Sequence, residues 1–144
     1  MTIIESIRIW LKTCPVLEGE RLNIDFLPVE AQSYSVEVVP GRGTIKQYMD
    51  GSALKQFLFV LASREFAESD IAQNADNLQF YEDFAQWVER QNRRPKHLPY
   101  LGDGRNAQKI TVTTPGYLYL RDDHGTARYQ IQMELTYLQR GERV

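Results

Sequence analysis

The chain has few of the residues that build metal centres and disulfide frameworks. Only one of its 144 residues is cysteine and two are histidine. A single cysteine excludes an internal disulfide and a zinc site made of cysteines, and it indicates a protein kept in a reducing cytoplasm. Cys14 ends an amphipathic segment with no histidine nearby in sequence, which favours a small buried hydrophobe over a nucleophile.

An excess of charge and long apolar runs are also lacking. The 17 basic and 19 acidic side chains leave a net charge of −2, which argues against specific nucleic-acid binding. No apolar run approaches the ~18 residues of a membrane helix, and the N-terminal residues lack the features of a signal peptide. We therefore expect no membrane partner and a single domain over residues 1–144.

Two kinds of periodicity predict the secondary structure. Thr2 and Glu5 have the spacing of a capping box, and apolar residues then recur at helical spacing until Pro15. A longer amphipathic helix is predicted over residues 76–94. Alternating patterns predict strands over residues 22–26, 34–38, 44–49, 53–63, 110–113, 117–121 and 127–138. This order predicts an α+β fold with an antiparallel or mixed β-sheet and the two main helices packed on one face.

Finer features follow from the same patterns. Both faces of strand 53–63 are mostly apolar, which predicts a central strand covered on both sides. The last strand has one apolar face and one polar face, so its polar face is expected to meet water or a partner. Asp50-Gly51 favours a primed two-residue hairpin turn, and Pro115-Gly116 a bend. Residues 64–75 are polar and are predicted to form a loop.

A search for catalytic residues finds none. His124 lies in the segment Asp122-Asp123-His124-Gly125, where turn chemistry explains the residues better than a metal cluster does. His97 has no partner histidine at helical spacing, and the short glycine pairs lack a phosphate-binding pattern. We predict no catalytic, cofactor-binding or metal-binding residues. A basic run is a candidate anion-facing patch, with a solvated helix end as the alternative: Arg90, Arg93, Arg94, Lys96 and His97.

Eight segments of the chain resemble the minor capsid proteins of tailed-phage and prophage structural gene clusters. They are residues 7–15, 48–52, 57–66, 77–84, 86–89, 98–99, 116–118 and 127–132. The order of elements also resembles the tail terminator proteins of long-tailed phages, whose rings, typically hexamers, cap the finished tail tube. The resemblance carries no catalytic residues. It implies a structural protein of the virion, present in the bacterial cytoplasm during assembly.

The resemblance also implies partners. They are further copies of the chain in a ring, the tail-tube protein and a head-completion or connector protein, and it stays open whether the free chain is a monomer. Contacts are expected at the hairpin 41–53 and the segment 64–75, through Arg42, Lys46, Asp50, Gly51, Glu65, Glu68 and Asp70. The main prediction is therefore a tail terminator or a head–tail joining protein. Two alternatives to it remain: a capsid-side minor structural protein, and a small ligand-binding module or enzyme.

Overall fold

Along the chain, one α-helix precedes each of two groups of strands. The computed structural model describes residues 1–66, 71–102, 104–122 and 125–141, with only the backbone at 71 and 72. Its elements are α1 (Ile3–Leu11), β1 (Leu22–Ile24), β2 (Ser33–Val39), β3 (Thr44–Gln47), β4 (Ala53–Phe66), α2 (Ile71–Gln91), β5 (Arg105–Arg121) and β6 (Thr126–Gln139). Short 3-10 helices at Pro15–Leu17 and Pro95–His97 follow α1 and α2.

One mixed sheet organises these elements. The strand order is β1-β2-β4-β6-β5, and β3 pairs with the beginning of β4. Strand β1 runs parallel to β2, whereas the other pairs are antiparallel. The central position of β4 and the α+β fold class are therefore confirmed.

Both helices pack against the same face of the sheet. Phe59 on β4 and Met133 on β6 are buried there, together with Phe84 of α2. The rings of Trp10 on α1 and Trp87 on α2 lie 4.8 Å apart, so the two helices also meet each other. The alternation in the last strand is confirmed, because its apolar residues are all buried: Tyr129, Ile131, Met133, Leu135 and Tyr137.

Helix α1 is held by its cap and by two long-range hydrogen bonds. The Glu5 amide donates to Thr2 Oγ1 at 3.3 Å, and the Thr2 amide donates to Glu5 Oε2 at 3.0 Å, which forms the predicted capping box. Arg8 Nε donates to the Leu22 carbonyl at 2.6 Å, and Trp10 Nε1 donates to the His97 carbonyl at 2.8 Å. These bonds fix α1 to β1 and to the segment after α2.

The predicted loop over residues 64–75 is wrong in most of its length. Strand β4 continues to Phe66 because β6 offers it a pairing partner as far as Thr126. Helix α2 already begins at Ile71, and residues 67–70 lie outside the described part of the chain. Its end is also earlier than predicted, because the Asn92 side chain bonds to both the amide and the carbonyl of Ile110 at 2.9 and 2.7 Å.

Of two finer predictions about the β4 region, one is confirmed and one is wrong. Strand β4 is covered on both sides, because Phe59 and Leu61 are buried under the helices, while Val60 and Ala62 on the opposite face are 3% and 0% exposed. The turn before β4 is not primed, since Asp50 does not have the positive φ that such a turn requires. Instead, the Gly51 amide donates to the Tyr48 carbonyl at 3.1 Å, and Gly51 alone takes the left-handed conformation, with φ of 89°.

Helix α2 approaches β5 closely at one glycine. A Cβ added to Gly116 would lie 2.3 Å from Tyr81 Cβ and 2.5 Å from Tyr81 Cγ. The strand pairing with β6 shifts register between Thr114 and Tyr117. Pro115-Gly116 therefore does not end the strand as a bend; it lets β5 pass beneath α2.

We expect Gly116→Ala to lower the free energy of unfolding by about 1–3 kcal/mol, because the added methyl overpacks against the fixed base of Tyr81. Urea unfolding followed by circular dichroism measures the change. Gly41→Ala is the matched control, since its Cβ would meet the rotatable end of Leu58. Equal stability of the two variants would contradict the close approach.

Candidate functional site

The sheet face opposite the helices carries an ion pair that spans the central strand. Arg128 on β6 donates to Glu37 on β2 through two bonds of 2.8 and 3.2 Å. Because β2 and β6 flank β4, this pair passes over the short side chains of Val60 and Ala62, which are 3% and 0% exposed. The second face of β4 is thus shielded by side chains.

The ion pair continues into a network of polar groups. Arg128 Nε donates to Gln130 Oε1 at 3.0 Å. The amides of Gln130 and Gln132 both donate to the Tyr117 hydroxyl, at 2.7 and 3.1 Å. The Arg128 guanidinium lies 5.2 Å from the ring centre of Tyr119. We call Glu37, Tyr117, Arg128, Gln130 and Gln132 the polar face; its groups are fixed by one another and are suited to meeting another polar surface.

The β3–β4 hairpin is the most exposed part of the described chain. Every residue from Thr44 to Gly51 is exposed, and the Met49 side chain is fully so. Asp50 Oδ1 accepts from the amide and the hydroxyl of Ser52, at 2.9 and 2.5 Å, and these bonds lower the pKa of Asp50. The Lys46 ammonium lies 5.3 Å from the Tyr48 ring centre. The turn thus presents an apolar side chain beside a fixed carboxylate.

The predicted contact residues fall into three groups. Arg42, Lys46, Asp50 and Gly51 are exposed around the hairpin, and their role as contacts stays a prediction. Glu68 and Asp70 lie outside the described residues. Glu65 is only 8% exposed, so its assignment to a surface loop is wrong: it lies on β4, on the face that packs against the helices.

Glu65 belongs to a buried polar cluster under α2. The pKa of Glu65 is raised to about 7, chiefly by burial and to a smaller extent by the Glu20 charge, against the hydroxyls of Ser63 and Tyr34, which lower it. Ser63 Oγ and the Tyr81 hydroxyl are 2.6 Å apart, and Tyr81 donates to the Tyr129 carbonyl at 3.1 Å. The cluster joins β2, β4 and β6 to α2.

An apolar groove lies between α1, the end of α2 and the segment that follows it. Its volume is about 580 Å³. The rings of Trp10 and Trp87 line it, Ile9 and Tyr100 are largely exposed at it, and none of the described residues that line it is a carboxylate. Lys96 supplies a positive charge, and His97 is among its polar residues. We call this the Trp groove; its residues are Met1, Ser6, Ile9, Trp10, Thr13, Trp87, Gln91, Lys96, His97, Leu98, Pro99 and Tyr100.

The remaining sequence candidates do not converge. Cys14 is 1% exposed, as predicted for a buried hydrophobe, and burial raises the pKa of its thiol. His97 lines the Trp groove, whereas Asp123 and His124 lie outside the described residues. The basic run is exposed throughout, but Arg93, Arg94, Lys96 and His97 follow the helix.

Metal-ligand clusters and membrane-spanning helices are the remaining features to consider in the described residues. Across the described ranges, no three histidine, cysteine or carboxylate side chains gather in a way that could hold a metal ion. In that same part of the chain, neither helix has the length and apolar character needed to cross a bilayer.

Sequence reasoning missed both surfaces for the same reason. The polar face depends on Glu37 and Arg128, which are far apart in sequence and meet only across β4. The Trp groove depends on two tryptophans from different helices. The available signal was weak: Trp10 and Trp87 each lie on the apolar stripe of an amphipathic segment, where a core role is expected.

Known proteins give no family for this chain. Neither a protein-family model nor a curated protein sequence matches it. The resemblance to phage minor capsid proteins therefore stays a prediction from the residues quoted above.

We expect the free energy of unfolding to decrease as the pH rises from 4.5 to 7, because Glu65 loses its proton over this range. Its pKa in the folded chain is raised from 4.5 to about 7, so the folded chain holds the proton more tightly than the unfolded chain does. Glu65→Gln should therefore be more stable than the natural chain at pH 8, by about 1–3 kcal/mol, and nearly equal to it at pH 4.5.

Urea unfolding at a series of pH values measures this difference. Glu89→Gln is the matched control, because it changes an exposed carboxylate on α2. A stability difference between Glu65→Gln and the natural chain that stays constant from pH 4.5 to pH 8 would contradict the buried-carboxyl assignment.

Proposed function

We propose that this chain is a non-enzymatic assembly protein of a phage virion, most simply a tail terminator or a head–tail joining protein. It would act in the bacterial cytoplasm during assembly and remain in the virion. Two observations support the proposal: the eight segments that resemble phage minor capsid proteins, and the element order α1, β1–β4, α2, β5–β6. The second is a likeness of fold and therefore supports the proposal less strongly.

The exposed hairpin is the observation that carries the proposal. Residues Thr44–Gly51 are all exposed, and they include the apolar side chains of Ile45, Tyr48 and Met49. Exposed side chains of this kind bury no apolar surface in the core of a single chain, so they do not stabilise a free monomer. Exposed apolar side chains on a rigid projection are typical of surfaces that contact another protein.

The polar face gives a second surface of the kind an assembly protein needs. Its hydrogen-bonding groups are held by the Glu37–Arg128 ion pair and the Tyr117 hydroxyl. Such a face holds donors and acceptors in fixed positions, and those that remain exposed could pair with a complementary surface on the tail-tube or connector protein. The two surfaces would thus serve different partners.

The proposed mechanism is geometric. Each chain would contact its neighbour through two different patches, and a rotation that closes makes a ring of identical chains. One side of this ring would match the end of the tail tube and stop further addition, while the other side would meet the connector. No bond is made or broken in this mechanism.

The alternative of a capsid-side minor structural protein uses the same surfaces and differs only in its partner. A small enzyme is supported less well. None of the described residues that line the Trp groove is a carboxylate, and Glu65, the carboxyl whose pKa is raised to about 7, lies in the buried cluster instead.

We expect the purified chain to form rings on the ends of tail tubes built from the tail-tube protein of the same gene cluster. Negative-stain images would show capped ends and tubes that no longer lengthen, and light scattering after size exclusion would give the ring mass. A chain that stays monomeric and never binds a tube end would contradict the proposal.

Particles assembled without this chain separate the two structural roles. Overlong or headless tails indicate a terminator or joining protein, and normal tails with defective heads indicate a capsid-side protein. Particles that are complete in both respects would count against either role.

A further inference from the structure

The tip of the hairpin carries an exposed methionine and an exposed carboxylate, and the Trp groove carries aromatic rings and an exposed lysine. We propose that the hairpin tip of one copy docks into the Trp groove of a second copy, with Met49 on the two tryptophan rings and Asp50 beside Lys96. The occupant is thus another molecule of this chain. This inference rests on the proposed function, because the proposed ring needs a contact between two different patches.

Met49 has the properties of an inserting side chain. It occupies a turn position that polar residues usually fill, and it is fully exposed, so it does not enter the groove of its own chain. A methionine is flexible and fills irregular apolar gaps, and its sulfur makes favourable contacts with aromatic rings. Trp10 and Trp87 line the groove and are 5% and 6% exposed, so Met49 would contact the small part of these rings that is accessible there.

The charges around the two parts also match. Asp50 follows Met49, and the two hydrogen bonds from Ser52 both end on Asp50 Oδ1, so Oδ2 can approach a cation. Lys96 and His97 are exposed at the groove, and none of the described residues that line it is a carboxylate. Two cations also lie near the tip: Lys46, whose ammonium lies over the Tyr48 ring, and Arg140, which lines a pocket together with Gly51. In the proposed contact, the carboxylate of Asp50 meets the positive charge of Lys96.

Both parts are formed before they meet. The tip is held by the Ser52 bonds to Asp50 and by pairing of β3 with β4. The groove is held by the bond from Trp10 Nε1 to the His97 carbonyl, at 2.8 Å. Docking therefore orders few additional groups, which lowers its entropic cost.

A charge swap tests the contact. We expect Asp50→Lys and Lys96→Asp, each alone in the full chain, to weaken self-association by roughly tenfold, and the double variant to recover most of it. Sedimentation velocity over a range of chain concentrations measures the association. Lys109→Asp is the matched control, since it reverses an exposed charge on β5 outside the groove. Additive losses in the double variant would overturn the inference.

Crosslinking tests the same contact independently of charge. Met49→Cys in one preparation and Tyr100→Cys in another should give a disulfide-linked pair when mixed and oxidised, with or without the tail-tube protein. Leu120→Cys, which is also exposed, replaces Met49→Cys in the control and should give no specific pair with Tyr100→Cys. No excess of the Met49–Tyr100 pair over this control in either condition would overturn the inference.

These outcomes separate the inference from the proposed function. Capped tube ends without the Met49–Tyr100 crosslink would overturn the docking contact and leave the terminator proposal standing. The crosslink and the charge rescue without any binding to tube ends would support the contact and contradict the terminator proposal.

Discussion

The unbroken pairing of β4 with β6 is the constraint on which the rest of the structure depends. Both strands are 14 residues long, and they pair in register from Ala53 to Phe66. This register places Phe59 beside Met133 on one face and Val60 beside Gln132 on the other. A slip of one residue would exchange the two faces, because side chains alternate along a strand. The helices and the polar face therefore take opposite sides of one ladder.

The same ladder explains how a sheet face can be polar and still shield its centre. Val60 and Ala62 are short, and so the Glu37 and Arg128 side chains can extend over β4 and meet. Both side chains keep about a fifth of their surface exposed, and an ion pair of this kind contributes only modestly to stability. Its larger effect is geometric, since it holds the donors and acceptors of the face in one arrangement.

The parts of this fold that depend on local periodicity can be predicted from the sequence. The capping box of α1 and the alternation in β6 were predictable because neighbouring residues determine them. A helical stripe does not reveal how far its packing surface extends: Leu78 is an apolar residue of α2 and is nevertheless 42% exposed. The burial of Glu65 was not predictable, because its partners Tyr34 and Tyr81 come from other elements. The polar face and the Trp groove escaped prediction for the same reason: each is assembled from distant segments.

Rigidity links these surfaces to the proposed function. A protein that works by shape must present its contacts before its partners arrive, because ordering them afterwards would cost conformational entropy. The hairpin meets this requirement through the left-handed Gly51 and the Asp50–Ser52 bonds, and the Trp groove through the bond between Trp10 and His97. Both are anchored to the ladder or to the helices packed on it, so their relative positions are set by the core. Contacts placed in this way on every copy repeat with the same rotation, and a constant rotation is what allows identical chains to close into a ring.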